Sequence, residues 1–468
     1  MIHQYKNNGY DIVMDVNSGS VHVVDDLIYD MVAVLDREIG ELEKPEKLSE
    51  TAVQRTVETL RDRYPEAEIR EALGDIQELI DREELFTKDT YSQYVTDFKQ
   101  RKTVVKALCL HIAHDCNLAC RYCFAEEGEY HGRRALMSYE VGKKALDFLI
   151  ANSGNRRNLE VDFFGGEPLM NWDVVKRLVE YGRSQEEAHN KKFRFTITTN
   201  GLLLDDEKID YINANMDNVV LSLDGRPSVN DEMRKTVSGA GSYDIIVPKF
   251  QKLVEKRDPK LDYYARGTFT GKNLDFAEDV VHIADEGFDR LSVEPVAAED
   301  GCGYELTEAD LDKIYAEYDR LTDIMEARRK EGKPFHFFHF MVDLNQGPCV
   351  VKRLRGCGAG YEYVAVTPEG DIYPCHQFVG NEAFKQGSVL DGSFDMDIAH
   401  KFASMNIYTR EKCGDCWAKF YCSGGCSAAN HNFSHDLNVP YEMGCKMEKK
   451  RLECAIYLKA VEAMDSDL

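Results

Sequence analysis

A chain of 468 residues is too long for one compact core and implies two or three domains. With 43% apolar and 30% charged residues it can bury such cores beneath a solvated surface, and no run approaches the ~18 apolar residues that span a bilayer, which excludes a membrane partner. A net charge of −25 offers no basic face for a phosphate backbone, so nucleic acid is excluded too, and the acidity reads as a solubility device that also favours basic peptides. The opening MIHQYKNNGYD lacks the basic and apolar stretches of a secretory signal, which predicts a cytoplasmic protein. In that reducing compartment fourteen cysteines read as metal or iron–sulfur ligands rather than disulfides.

Tyr10, Ile12, Met14 and Val16 alternate up to Asn17-Ser18-Gly19, and Val21 and Val23 follow, which predicts a hairpin with Gly19 supplying the turn's positive φ. Helical periodicity follows over 47–63 and 65–84, with Ile69, Leu73, Ile76, Leu79 and Ile80 on one stripe. Residues 1–85 are thus expected to form a small winged-helix-like module, and the polar, aperiodic stretch 86–103 a linker. From 104 to 340, apolar runs at Val104–Ile112, Leu159–Phe164, Phe193–Thr199, Asn218–Leu223, Tyr263–Thr268 and Arg290–Val296 alternate with helix candidates near 138–152, 172–188, 205–214, 243–256 and 274–286. Six such units predict an α/β fold, a parallel sheet curled into a partial (β/α)6 TIM-like barrel with its chemistry at the C-terminal ends of the strands. Residues 341–468 are denser in Gly, Pro and Cys, as a metal-stapled domain would be.

After the first predicted barrel strand comes Cys116-Asn-Leu-Ala-Cys120-Arg-Tyr122-Cys123. Three thiolates leave one iron of a cubane cluster without a protein ligand. Zinc is the alternative, but it generally takes four ligands in paired C-x2-C units. Gly165-Gly166-Glu167-Pro168 ends the second strand, Thr199-Asn200-Gly201 the third, and Ser222-Leu-Asp224-Gly the fourth. In this order the motifs resemble the radical SAM superfamily. The resemblance implies that Cys116, Cys120 and Cys123 hold a 4Fe–4S cluster whose open iron binds S-adenosylmethionine. It further implies cofactor contacts from Tyr122, Gly165, Gly166, Glu167, Asn200, Ser222, Asp224, Arg234 and Glu294, with the glycines admitting a ligand to the backbone and Arg234 pairing with the methionyl carboxylate. One electron from the cluster would split the sulfonium to a 5′-deoxyadenosyl radical, which takes a hydrogen atom from the substrate.

Farther on, Cys357, Cys375, Cys413, Cys416, Cys422, Cys426 and Cys445 follow an order and spacing that resemble the SPASM domain, which holds two auxiliary 4Fe–4S clusters. By that resemblance Cys357, Cys375 and Cys426 bind the nearer cluster, and Cys413, Cys416, Cys422 and Cys445 the farther one. Eight irons against seven thiolates leave two readings: Cys349 is the eighth ligand, or one iron stays open for a substrate thiolate, the reading preferred here. His376 stands where sulfatase maturases carry an acid, and serves either as a base on the substrate or as a donor to cluster sulfur. Cys109, Cys302 and Cys454 are read as structural.

The whole resembles radical SAM/SPASM peptide maturases, and the stretches 10–31 and 357–380 are most like the SCIFF peptide maturases. The implied activity is thioether cross-linking of a cysteine-rich precursor peptide, bound through its leader by an N-terminal RiPP recognition element, with flavodoxin or ferredoxin as reductant. The alternatives are a sulfatase-type formylglycine-forming enzyme and a non-catalytic iron–sulfur peptide-binding scaffold.

Overall fold

The computed structural model describes residues 1–39, 46–95, 104–130, 132–344 and 350–466. The predicted hairpin joins Tyr10–Asp15 to Val21–Val24, and its turn is set by Asp15, whose carboxylate accepts from the Asn17 and Ser18 amides at 3.0 Å while Gly19 takes φ +81°. A further strand that the sequence pattern did not reveal, Ile2–Asn7, pairs antiparallel with Tyr10–Asp15 to complete a three-stranded sheet. The helix Asp26–Ile39 was likewise unforeseen, because its apolar start runs on from the strand before it. The two predicted helices occupy Glu50–Leu60, capped by the Ser49 side chain on the Ala52 amide, and Glu66–Asp81. Their buried stripes, Val57 and Leu60 with Ile69, Leu73 and Ile76, close on Met31, Val32 and Leu35.

The six predicted barrel strands are found at Ala107–His114, Asn158–Gly165, Lys192–Thr199, Asn218–Ser222, Asp262–Phe269 and Arg290–Pro295. They lie side by side in chain order, all parallel. Helices Tyr139–Asn152, Trp172–His189, Asp206–Asn215, Tyr243–Glu255 and Phe276–Asp285 connect them, and their apolar faces share one core with the sheet, including Phe163, Phe195, Leu178 and Phe250. The curl stays open. Among the described residues the sheet ends beyond the sixth strand at His336–Phe337, and beyond the first lies Tyr363–Val366, which pairs parallel to Ala107–His114 and continues antiparallel into Asp371–Tyr373. The expected boundary at 340 is therefore crossed by the sheet itself, whose far edge comes from the cysteine-rich end of the chain.

A 25-residue helix, Glu442–Ser466, closes the structure, and sequence periodicity gave no sign of it. It is covered on two sides, which spreads its apolar residues around the axis. Met443, Met447 and Cys454 face the barrel core, whereas Ile456, Tyr457 and Val461 meet Tyr5, Ile12 and Met14 of the N-terminal sheet. Among the described residues no helix is long and apolar enough to cross a membrane, and thirteen cysteines are free thiols.

Part of the expected linker is docked. Thr87 donates to Asp15, and Asp89 accepts both from Tyr408 Oη at 2.7 Å and from the ammonium of Lys419 at 3.0 Å, although residues 96–103 lie outside the described residues. Lys419 is 4% exposed and keeps the Gly414 carbonyl as its other acceptor. Asp89→Ala strands this buried cation and is expected to cost about 3 kcal/mol. The check is a lower thermal midpoint together with faster proteolysis within 86–95, and an unchanged midpoint would show the contact to be dispensable.

Candidate active site

The first barrel strand runs directly into the cysteine loop. Within it Leu118–Cys120 forms a short strand antiparallel to Arg234–Thr236, with Cys120 opposite Arg234. The Arg121 amide adds a bond to the Met233 carbonyl at 2.9 Å. Cys116 Sγ accepts from the Leu118 amide at 3.4 Å and from Asn200 Nδ2 at 3.6 Å.

Gly165 and Gly166 seat this loop. A Cβ on Gly165 would lie 2.3 Å from the Ala113 carbonyl oxygen, and one on Gly166 would lie 2.1 Å from that of Asp115. Instead, the Gly166 and Glu167 amides donate to those two oxygens at 2.7 and 2.9 Å. The chain's own 113–115 backbone thus approaches both glycines, which also line the cavity. Glu167, 1% exposed, then ties the second strand to the third. Its carboxylate accepts from the Leu169 amide at 3.0 Å, Thr199 Oγ1 at 2.8 Å and the Asn200 amide at 2.8 Å. Burial pushes its carboxyl up to about 7, against these three donors, which favour the ionised form.

Asp224 also departs from expectation. It is fully buried and does not face the cavity. Its oxygens accept from Tyr122 Oη at 2.9 and 2.7 Å and from the Thr268 amide at 3.0 Å, and Oδ1 lies 3.0 Å from Arg234 Nε. Arg234 stands over the Tyr122 ring at 5.5 Å, and although burial disfavours its charge, Asp224 holds the guanidinium protonated. Asp224 thereby positions Arg234 and Tyr122, and these two carry the contact to the cavity.

That cavity, about 270 Å³, opens at the C-terminal ends of the strands. Cys116, Cys120, Tyr122 and Cys123 form one wall, and Gly165, Gly166, Glu167 and Asn200 the next. Ser222, Arg234 and Glu294 line it as well. His376 and Gln377, which follow Cys375, complete it from the far edge of the sheet. Burial pushes the Cys116 and Cys120 thiols up to about 12, with the Arg234 charge opposing it at Cys120. Three thiols gathered on one loop, with Cys116 and Cys120 ionising only against a cation, suit an iron cluster. His376 Nδ1 lies 3.3 Å from Tyr363 Oη, and its ring packs against Phe124 and Phe164 at 5.6 and 5.2 Å. Burial, and then the charge of Arg266, hold His376 down to about 4, so its imidazole is neutral at neutral pH.

Sequence reading missed several cavity residues. Arg266, paired with Glu294 at 2.8 Å, and Thr268 come from the fifth strand, where alternate side chains point inward. Behind the wall, His111 Nδ1 and His114 Nε2 meet at 3.0 Å against Tyr130, and burial holds His114 down to about 4. The histidines sit at i and i+3 beside the cysteine loop, the one signal that could have flagged them.

The remaining cysteines fall into two groups. Burial pushes up Cys357, and Cys375 to about 12; beyond burial, the charge of Cys426 acts on both and that of Cys357 on Cys375. Burial also raises Cys413, Cys422 to about 12 and Cys445 to about 11, with further repulsion from Cys416 on Cys413, from Cys445 and Cys413 on Cys422, and from Cys413 and Cys416 on Cys445. Among the described residues no three His, Cys, Asp or Glu side chains converge as the ligands of one metal ion do. Cys349 lies outside the described residues. Cys109 and Cys454 are fully buried, and Cys302 bonds Glu305.

Residues 110–264 match the model of the radical SAM superfamily, and residues 357–417 that of the SPASM iron–sulfur cluster-binding domain. These domains imply 4Fe–4S clusters and S-adenosylmethionine. Among curated proteins, the radical SAM cyclopropyl synthase TigE of Paramaledivibacter caminithermalis is 24% identical over 345 residues, 69% of this chain and 68% of that one. Among solved structures, anSMEcpe with bound AdoMet and Cp18Cys peptide superposes with a TM-score of 0.61 at 21% identity, over 76% of this chain and 99% of that one. Streptococcus suis SuiB bound to precursor peptide SuiA superposes at 0.53 and 17% identity, over 94% of this chain and 97% of that one. Residues 110–264 thus form a radical SAM domain and residues 357–417 a SPASM iron–sulfur cluster-binding domain.

Proposed function

We propose that this chain installs thioether cross-links, from cysteine sulfur to carbon, in a cysteine-rich ribosomally made peptide, using three 4Fe–4S clusters and S-adenosylmethionine in the cytoplasm. The observation that carries the reading is the shared cavity. The Cys116–Cys123 loop and His376, directly after Cys375, face the same space, so a peptide there would sit between the radical source and the auxiliary array. The coverage of SuiB supports a leader-binding N-terminal module, since that fold extends over 94% of this chain, against 76% for anSMEcpe. SuiB is bound to a precursor peptide, and by analogy the leader would add to an edge of the sheet made by residues 2–24.

In this reading Cys116, Cys120 and Cys123 hold the first cluster, Cys357, Cys375 and Cys426 the nearer auxiliary one, and Cys413, Cys416, Cys422 and Cys445 the farther. When bound, the first cluster and S-adenosylmethionine supply the 5′-deoxyadenosyl radical that removes a substrate hydrogen atom. Arg234 presents its cation to the methionyl carboxylate, and Asn200, Ser222 and Glu294 orient the remainder of the cofactor. Phe124 and Phe164 keep water from the reacting carbon. Neutral His376 takes the proton of the substrate thiol, with Tyr363 fixing its ring, and the one electron released as sulfur bonds to the carbon radical would leave through the auxiliary array. A flavodoxin or ferredoxin supplies electrons.

The reading is tested by incubating the anaerobically reconstituted protein with S-adenosylmethionine and a cysteine-rich peptide encoded beside it. Each bridge is expected to remove two hydrogens from the peptide mass and one alkylatable cysteine. A formylglycine product would point to the sulfatase-type alternative, and an absence of 5′-deoxyadenosine to a scaffold. His376→Ala is expected to lower the rate of bridge formation by about 10²-fold with 5′-deoxyadenosine release retained. Glu167→Gln sets an amide N–H against either the Asn200 amide or the Leu169 and Thr199 donors. It is expected to cost about 2 kcal/mol, read as roughly 30-fold weaker S-adenosylmethionine binding in equilibrium dialysis at unchanged iron content.

A further inference from the structure

Arg410 lies between the two cysteine groups of the C-terminal array, and nothing in the spacing of the cysteines announces it. Its guanidinium donates to the carbonyl of Gly424 and, at 3.2 Å, to that of Gly425, and Nη2 donates to Ser427 Oγ at 2.7 Å. Gly424 and Gly425 stand between Cys422, of one group, and Cys426, of the other, and Ser427 follows Cys426 directly. Three successive left-handed residues, Ser423, Gly424 and Gly425 at φ +58°, +88° and +72°, make the turn whose carbonyls reach the guanidinium. A Cβ on Gly424 would lie 2.9 Å from Arg410 Cδ, so the arginine fills the inside of that turn. The Arg410 carbonyl accepts from the Cys413 amide at 3.4 Å, tying a third cysteine to the same residue.

Burial makes this costly. Arg410 is 6% exposed, and its Nε–H has no hydrogen-bond partner among the described residues. A buried, unpartnered donor on a cation costs several kcal/mol unless it meets an acceptor of opposite charge. The charges that act on it most are Cys413, Cys357, Cys422 and Cys426, two from each group. Burial opposes the guanidinium charge and these four favour it.

We propose that Arg410 is a positioning residue that ties the two cysteine groups into one unit and, with the cysteines read above as ligands of two clusters, biases both toward the reduced state, its free Nε–H donating to cluster or thiolate sulfur. Each cluster gains one electron from an external one-electron reductant and no proton, so its charge falls by one, and a fixed cation in a low-dielectric setting stabilises that product. A hydrogen bond to sulfur acts in the same direction.

The experiment compares the full-length protein with Arg410→Gln and Arg410→Lys, each reconstituted anaerobically. Iron and sulfide are counted per chain, and each sample is titrated with dithionite while its reduced-cluster electron paramagnetic resonance signals are followed. Arg410→Gln is expected to keep its iron and to shift the auxiliary signals to lower potential, leaving the cluster of Cys116, Cys120 and Cys123 unmoved, whereas Arg410→Lys restores most of the shift. Loss of auxiliary iron in the Gln variant alone, with retention in the Lys variant, also supports the assignment. Equal potentials in all three proteins at full iron, or loss of iron in both variants, overturns it. A wild-type protein that binds iron for one cluster only would instead overturn the ligand reading on which it rests.

Discussion

The site depends on the strand Ala107–His114 having a parallel neighbour on each side. On one edge it pairs with Asn158–Gly165, and the register brings Ala113 opposite Gly165. On the other it pairs with Tyr363–Val366, with Ala365 opposite Cys109. The first pairing seats the cysteine loop against Gly165-Gly166. The second fixes the hairpin from Tyr363 to Tyr373, so that Cys375 and His376 emerge at the same end of the sheet. Slipping either edge by one residue would turn every side chain on it to the other face. Three thiols of the loop and the imidazole of His376 would then no longer meet in one cavity. The cavity is built by register before any cofactor contact is considered.

Around this frame, buried charge is spent on loops rather than on exposed contacts. Glu167 holds the ends of two strands, and Asp224 holds Tyr122 and Arg234 in place. Removing one partner from such a group leaves an uncompensated charge in a low-dielectric setting, so these positions tolerate little change. Arg410 plays the equivalent part in the C-terminal array, where a cation replaces the carboxylate and carbonyls replace the amides. The difference has a simple cause. In the function proposed above, the first wall presents a cation to a carboxylate, whereas the second surrounds cysteines that are negative once ionised.

The six barrel strands were legible as apolar-rich runs between helical patterns, and Lys192–Thr199 and Asp262–Phe269 bury every second residue. The cysteines were legible by spacing. What stayed hidden shares one physical feature: its partners are remote in sequence. Ile2–Asn7 reads as polar because its single buried aromatic, Tyr5, packs on residues more than 440 positions away, with Tyr5 Oη donating to the Glu453 carbonyl at 2.9 Å. The helix Glu442–Ser466 shows no stripe because two surfaces cover it. The resemblance sets Asp224 at the cofactor, and only the fold shows Tyr122 and Arg234 reaching it first. Arg410 and Arg266 belong to no motif, and their roles follow from burial and neighbours alone.

The C-terminal helix also bears on how the parts act together. Its first turn carries Cys445, and farther along Glu453 bonds His3 Nε2 at 3.0 Å. The His3 ring lies flat on Trp417 at 3.7 Å, beside Cys416. The N-terminal sheet and the second cysteine group therefore rest on one rigid element, with His3 bridging them. Ordering of the sheet by an added strand would tighten Ile2–Asn7, and that strand carries both His3 and Tyr5. The geometry sets the N-terminal sheet and the cysteines around Trp417 side by side against one helix.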